Sequence, residues 1–515
     1  MQNENWLPHL TNEMMIGARN NNLCSYVIAL EGWRRGLTLT FYSRKVKQDT
    51  LHVPGCLFSL SDGQETHMFY KSRGMRVKNE AFSIGDNKIL TKKELEKNGV
   101  PVPKGDIFSK EAKNEEIIAY AKEIGYPVVL KPSNAAQGKG VIANIENESF
   151  LRKSLEHVRN ELKYKEVILE EHVSGEEYRV YVMEDEVIAV LNRVPANVVG
   201  DGKQTIQELI NTKNKQRKKN PRLFSCLIKV DYEIENILAR RKLSLSSVPD
   251  VNELVYLREK SNISTGGDSI DLTDEFPEEI KKIAVSALKQ IPNFPNGGVD
   301  IMVDYSKPID QAAKVIELTP VPQIGSLIFP MKGKGRDIPS AVIDFYFPNT
   351  KEFKNNNSNI YFDLRNVLSP LMSKSASEVT VIPCPDYIDT QIKYVIKGKV
   401  QDVGFRRWIR KKALEADLYG SAQNLKDGSL VVAVAGEGES VAAFKKVCKQ
   451  GPERAVIVEV TEIPWDGAIK VGFEIKANPR KKSEVKKVIK QTPKKQKKPL
   501  TLLGKIKRKL RKITK

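Results

Sequence analysis

Between residues 106 and 350, helical patterns such as SKEAKNEEIIAYAKEIG alternate with β-branched runs such as YPVVLKP, KEVILEEHV and EEYRVYVM. Two hydrophobic periodicities taking turns over so long a stretch restrict the fold to an α/β or α+β architecture. The way in is TKKELEKNGVPVPKG, 91–105, where a threonine cap candidate opens a short helix and Gly99, Pro101 and Pro103 end it. Residues 1–90 mix short apolar runs (YVIAL, LTLTFY, CLFSL) with basic residues and read as a small α/β module with no chemistry of its own. The main domain then occupies 91–350. A polar, asparagine-rich segment, TKEFKNNNSN, opens a connection over 351–390, and a second domain follows at 391–477. With 515 residues and 40% hydrophobic content, the chain has material for several domain cores.

The net charge of +20 is unevenly placed: residues 478–515 hold 17 basic residues against Glu484 alone, and the remaining body has 67 basic against 63 acidic residues. Arguments about an anionic macromolecular partner therefore belong to the tail. Cys24, Cys56, Cys226, Cys384 and Cys448 are odd in number and contain no CxxC, which fits neither a disulfide framework nor a zinc site and suits a reducing, cytoplasmic setting. The N-terminus lacks signal-peptide character, and no apolar run approaches the roughly 18 residues that span a bilayer. HExxH and GxSxG are both missing, so zincin and α/β-hydrolase chemistry lack support.

Three constellations in the main domain carry chemistry. In YPVVLKPSNAAQGKGVIANI, 126–145, a strand ends at Lys131, and a small-residue loop with Gly138, Lys139 and Gly140 leads into a second strand. Glycines allow amides close to phosphate oxygens and two lysines add charge, so the segment reads as a flap over a polyanion; a lysine-rich hairpin is the plainer reading. It is no Walker A loop, because Gly140 stands where Ser or Thr belongs. In VILEEHVSGEEYRVYVMEDEVIAVLNRV, 167–194, acids follow a strand and Arg179 and Arg193 occupy the next two; such acids can accept from adenine and ribose, and such arginines can hold a carboxylate or acyl phosphate. In VDIMVDYSKPIDQAAKVIELTP, 299–320, Asp300 and Glu317 lie on successive strands that a hairpin can juxtapose, as a magnesium site beside phosphates requires.

These motifs, with GVPVP, LREKSNISTGGDSIDLTD and FPMKGKGRDIPSAVIDFYFP, resemble the ATP-grasp ligases, most closely the ligase half of cyanophycin synthetases and bifunctional glutathione synthetases, over about 91–350. The resemblance implies that Lys131, Gly138, Lys139 and Gly140 bind ATP phosphates and that Glu170, Glu171, His172 and Val173, with Glu176 or Glu177, meet adenosine. It further implies that Arg193, Arg258 and Asn262 line the acyl-phosphate site and that Asp300 and Glu317 hold Mg2+. Where the family has Glu-x-Asn this chain has Glu317-Leu318-Thr319, so Thr319 offers a hydroxyl, a poorer metal ligand than an amide carbonyl.

Farther on, KYVIKGKVQDVGFRRWIR, 393–410, reads as strand, glycine loop and helix, with the helix N-terminus aimed at an anion and Arg406 adding charge. YGSAQNLKDGSLVVAVAGE places Asn424 before a Lys426-Asp427-Gly428 turn. Both segments resemble acylphosphatase, which implies a ferredoxin-like βαββαβ domain in which Arg406 binds phosphate and Asn424 positions the attacking water. Asp402 stands where that family has glycine. Aspartate tolerates positive φ, but its carboxylate repels an incoming phosphate.

In the tail, LTLLGKIKRKLRKITK puts Leu502, Leu503, Ile506, Leu510 and Ile513 within an arc of about 100° with the cations outside it, the pattern of a cationic amphipathic helix suited to an anionic membrane surface. Nucleic acid is the rival partner. The expectation is an ATP- and Mg2+-dependent carboxylate-amine ligase acting on an amino acid or peptide, cytoplasmic and peripheral at the inner face of the membrane. The alternatives are acyl-phosphate hydrolysis as the main activity, or a non-catalytic, membrane-associated ATP-binding protein.

Overall fold

The structure, a computed structural model, describes residues 6–43, 53–133, 140–353, 358–385 and 388–478. Two compact units emerge: residues 1–386 with 467–471, and residues 387–466 with 472–515. No helix among the described residues is long and apolar enough to cross a membrane. All five cysteines are buried, and none forms a disulfide among the described residues.

The first unit contains three main sheets. The N-terminal one runs through β1 (Thr38–Tyr42), β2 (Leu57–Ser61), β3 (Thr66–Tyr70) and β4 (Arg73–Gly74), and β1 also pairs with Glu378–Thr380. The segment expected to be a mere connection, 351–390, thus supplies an edge strand to this sheet and carries a helix, Leu364–Met372, whose Leu364, Leu368 and Leu371 are buried. Its apolar spacing is helical, but the helix is short and interrupted by Pro370, so the polar flank at 350–359 is the stronger local signal. Residues 467–471 return to this unit, where Ile469–Lys470 pairs in parallel with Ile360–Tyr361.

A four-stranded antiparallel sheet carries the expected phosphate flap: β5 (Gly105–Phe108), β6 (Val128–Pro132), β7 (Ile142–Ile145) and β8 (Val167–Glu171), in the order β5-β8-β6-β7. Ile117, Ile118 and Ala121 of the helix Asn114–Ile124 pack on its inner face with Val128, Leu130, Val167 and Leu169, the alternation that lets one strand face be apolar while Lys131 and Glu170 turn elsewhere. The third sheet is five-stranded: β9 (Glu176–Met183), β10 (Glu186–Val194), β11 (Asp268–Asp271), β12 (Asn296–Val303) and β13 (Ala313–Thr319), ordered β11-β10-β9-β12-β13 and antiparallel throughout. Val180, Val182, Val190, Val299, Ile301 and Val315 form its core against Ile280, Ala284 and Leu288 of the helix Glu278–Lys289.

The second unit is a single antiparallel sheet with one added edge. β14 (Thr390–Lys399), α1 (Phe405–Glu415), β15 (Tyr419–Asn424), β16 (Leu430–Gly436), α2 (Gly438–Gln450) and β17 (Val456–Pro464) follow in sequence, with sheet order β17-β14-β16-β15. That is the βαββαβ arrangement expected, extended by Phe473–Ile475 parallel to β15. Phe405, Ile409 and Ala413 of α1 and Val441, Phe444 and Cys448 of α2 share one core with Tyr394 and Ile396.

Candidate active sites

In the first unit, Lys131 at the end of β6 reaches Glu170 of β8, with Nζ 2.6 Å from Oε2, and both side chains are almost wholly buried. The strands are antiparallel neighbours with Lys131 facing Ile168 and Val129 facing Glu170, so the pair is diagonal on one face. Lys139 and Gly138 lie outside the described residues. Gly140 has φ +69°, and a Cβ there would press on Pro132, so the flap turns back tightly at this point. Glu171 binds Lys314 of β13 and accepts from the Lys104 amide at 2.7 Å. Burial favours its neutral form, but Lys314 and the amide outweigh burial and hold the carboxyl below its ordinary range. The His172 amide donates to the Pro127 carbonyl, and burial keeps its imidazole below the usual value. Val173 follows it, half-buried.

On the other sheet Asp300 and Glu317 are Cα partners across β12 and β13, as the hairpin reading requires. Asp300 is buried and receives a fork from Arg179, with Nη2 to Oδ2 at 2.9 Å, and Arg193 Nη2 at 2.6 Å. Burial alone would raise this carboxyl; the two guanidinium groups reverse the effect and depress it. Glu177, expected among the adenosine contacts, sits instead against Arg193 on the Asp300 side, because it lies on β9 of the second sheet while the Glu170–Val173 strip ends β8 of the first. Burial, aided by Asp300, lifts its carboxyl above normal despite Arg193. Glu176 turns the other way and accepts from Tyr178 and Asn192.

The backbone of Asn262 packs near that of Val194, the residue after Arg193. A Cβ on Gly267 would lie 2.8 Å from the carbonyls of both Asn262 and Val194, so only glycine lets the loop at 258–262 pack against the strand end beyond Arg193. The Asn262 side chain accepts from the Ser264 amide, and Ser261 hydrogen-bonds Glu177. Arg258 differs from the expectation: it is held by Asp231, at 2.6 Å, and Glu233, at the first turn of the helix Tyr232–Arg240. Each of those acids precedes or opens a helix, where a carboxylate is favoured, so both were available to capture a nearby guanidinium. The Nε atoms of Arg193 and Arg258 are buried with no hydrogen-bond partner among the described residues.

Two lysines were missed by the sequence reading. The helix Lys88–Lys97 sends Lys88 to Glu317, 3.7 Å, and Lys92 to Glu170, 3.9 Å, with Lys92 also donating to the Gly105 carbonyl at 2.8 Å. Their spacing of four residues was the available signal, since it puts both on one helix face. With Glu171–Lys314 they clasp the two sheets together.

Among the described residues no three His, Cys, Asp or Glu side chains are grouped for a metal. The donor set at the strand ends nonetheless consists of hard oxygens, Asp300, Glu317 and the Thr319 hydroxyl. Glu317 keeps 40% of its side chain exposed and offers its oxygens to a divalent cation shared with phosphate, whereas both carboxylate oxygens of buried Asp300 are taken by Arg179 and Arg193.

In the second unit Asp402 has φ +58° and Gly404 φ +80° immediately before α1, the left-handed turn expected of the loop. Among the described residues the amides of Asp402, Val403 and Gly404 donate to no backbone carbonyl. Arg406 donates to the Asn478 side chain at 2.6 Å, and the Asn424 Oδ1 is buried with no hydrogen-bond partner among the described residues. Gln401 ties the loop to Leu425 and Ser429, at 2.9 and 3.0 Å.

Residues 85–207 match the RimK-like ATP-grasp domain family, and residues 392–475 match the acylphosphatase family. The chain joins an ATP-grasp domain to an acylphosphatase domain. It is similar to the glutathione biosynthesis bifunctional protein GshAB of Listeria welshimeri, with 33% identity over 340 residues, covering 65% of this chain and 42% of that one. The protein of that name from Pasteurella multocida is 36% identical over 294 residues, covering 55% and 38% respectively. The chain thus spans less than half the length of these curated relatives. Among solved structures, a bifunctional glutathione synthetase from Pasteurella multocida shares 32% identity over 57% of this chain and 41% of its own, with a TM-score of 0.46. An acylphosphatase from Coxiella burnetii shares 31% identity over 17% of this chain and 92% of its own, with a TM-score of 0.17.

Proposed function

We propose that the chain is an ATP- and Mg2+-dependent carboxylate-amine ligase, acting on an amino acid or peptide through an acyl-phosphate intermediate. The observation that carries this reading is the clasp: one helix hands Lys92 to Glu170 on the flap sheet and Lys88 to Glu317 on the carboxylate sheet. Cations and hard oxygen donors converge there from two β layers, as a bound triphosphate needs. Lys131, with Lys139 and the glycines of the flap, holds phosphate oxygens, and Glu170, Glu171 and the backbone of His172 and Val173 border the base. Asp300, Glu317 and Thr319 are the residues that hold Mg2+, which supplies charge neutralisation on the transferring phosphoryl group. Arg193, ordered by Asp300 and Glu177, faces the acyl phosphate with Asn262, while Arg258 positions the loop between them.

A substrate carboxylate oxygen attacks the γ-phosphorus and ADP leaves. An amine then attacks the acyl carbon, phosphate departs, and the amine's proton passes to solvent, leaving an amide. The names of the relatives support a glutathione-like peptide as product. ADP release that requires both a carboxylate and an amine, in a survey of amino acids and short peptides, is the expected result. ATP binding with no turnover under any combination would contradict it.

The orphaned Asn424 Oδ1 beside the Arg406 loop supports a second activity, in which Asn424 orients water for hydrolysis of acyl phosphates. In this reading the second domain discharges carboxylates that were activated but found no amine. Phosphate release with the carboxylate alone then falls in Arg406→Ala; an equal rate in both proteins rejects the role. The tail sequence supports a cytoplasmic protein peripheral at an anionic membrane surface.

A further inference from the structure

The acylphosphatase unit is electrically lopsided. Residues 388–466 and 472–478 hold fourteen basic and twelve acidic residues, yet α1 and α2 alone have eight basic against two acidic. Both helices cover the same side of the sheet, sharing its core, so the cations collect on one face and the acids outnumber them everywhere else. Arg407, Arg410, Lys411 and Leu414 follow one another at helical spacing on α1, all exposed, and with Glu415 they line a depression of about 410 Å³. Glu415 is engaged by Lys412 at 2.8 Å and Lys411 at 3.7 Å, whereas Arg407 and Arg410 form no ion pair among the described residues. Leu414 is 52% exposed in the middle of these charges.

The basic tail leaves from the same place. Asn478, the last described residue, is held by Arg406 in the first turn of α1, and Ala477 accepts from Gln423 at 3.2 Å. The 37 residues that follow carry the 17 basic side chains and the apolar stripe of Leu502, Leu503, Ile506, Leu510 and Ile513.

We propose that the Arg407–Arg410–Lys411–Leu414 face of α1 docks the second unit on an anionic lipid bilayer. Cations on the face meet lipid phosphates, and Leu414 enters the apolar layer beneath. Nucleic acid would satisfy the charges and leave Leu414 in water, which is why the bilayer is the better occupant. The inference rests on the membrane reading above and names the surface that performs it.

The test is co-sedimentation of the full chain with phosphatidylcholine vesicles prepared with and without phosphatidylglycerol. Wild type is compared with a variant carrying Arg407→Gln, Arg410→Gln and Lys411→Gln, and with Leu414→Ser. Far-UV circular dichroism and the melting temperature serve as fold controls for these exposed sites. Binding confined to anionic vesicles, weakened on the order of a hundredfold in the triple variant at about 1 kcal/mol per basic residue, supports the proposal. Unchanged binding by a folded triple variant overturns the α1 face and leaves the tail alone responsible. No binding by wild type overturns the membrane reading itself. Loss of duplex DNA binding with unaltered vesicle binding in the triple variant overturns the lipid assignment in favour of nucleic acid.

Discussion

Lys131 and Glu170 are each 8% exposed at the side chain, and their ion pair is part of the floor on which phosphate is proposed to rest. Removing the ammonium leaves the buried Glu170 with Lys92 alone, at 3.9 Å, so Lys131→Met is expected to cost up to about 3–5 kcal/mol in urea unfolding, and Lys131→Met with Glu170→Gln to recover most of it. Asp300→Asn leaves Arg179 and Arg193 facing a neutral amide; ATP turnover is expected to fall by about a hundredfold or more with the fold intact by circular dichroism. His67 gives a pH signature far from either site. Its ring is edge-on to Tyr346 and Phe347, at 5.1 and 5.0 Å between centroids, and burial holds it below its ordinary 6.5 against the opposing pull of Glu65. The unfolded chain takes up a proton at 6.5 that the folded chain resists, so this contribution to stability is full above pH 6.5 and declines as the pH drops through it. His67→Phe is expected to flatten the slope of unfolding free energy between neutral and mildly acidic pH; an unaltered slope would contradict the assignment. At this scale the sequence revealed residues whose chemistry is unusual for a strand, such as Asp300 between Val299 and Ile301. It concealed Lys88 and Lys92, which look like the solvated face of a lysine-rich helix until the tertiary fold aims them.

Elements decide what these residues can meet. Hairpin geometry made the Asp300–Glu317 register legible, because two apolar strands joined by a short polar segment pair antiparallel. The capture of Arg258 was hidden, because Asp231 and Glu233 belong to a helix 25 residues or more upstream and only folding brings them near. Likewise Glu177 reads as a continuation of the acidic strip, but the break at Ser174 and Gly175 moves it to another sheet. In the second unit the loop before α1 combines a strained residue with a misplaced charge: Asp402 at φ +58°. Asp402→Gly removes both. It is expected to stabilise the unit by up to about 1 kcal/mol and to raise phosphate release from acetyl phosphate by about tenfold, as loss of a like charge near the anion demands. A rate that is unchanged or lower would show that the carboxylate does not oppose the phosphate.

For the whole molecule, the order of chemistries along the chain was readable because each domain announces itself by several motifs in sequence. The boundaries were less so: residues 1–90 and 351–390 look like separate pieces, yet Thr40 pairs with Thr380 and Phe41 with Val379 in one sheet. Local patterns do not report which distant strand an edge will accept. On the proposed reading one chain makes acyl phosphates and also destroys them, so the intermediate is the quantity to look for. The most direct measurement supplies ATP, Mg2+ and a pool of amino acids and short peptides with hydroxylamine in place of the amine, and detects hydroxamates by mass spectrometry alongside ADP. A hydroxamate formed in step with ADP, and reduced about a hundredfold in the folded Asp300→Asn variant, is the predicted result. ADP appearing with no hydroxamate, or no ADP at all, would contradict the ligase.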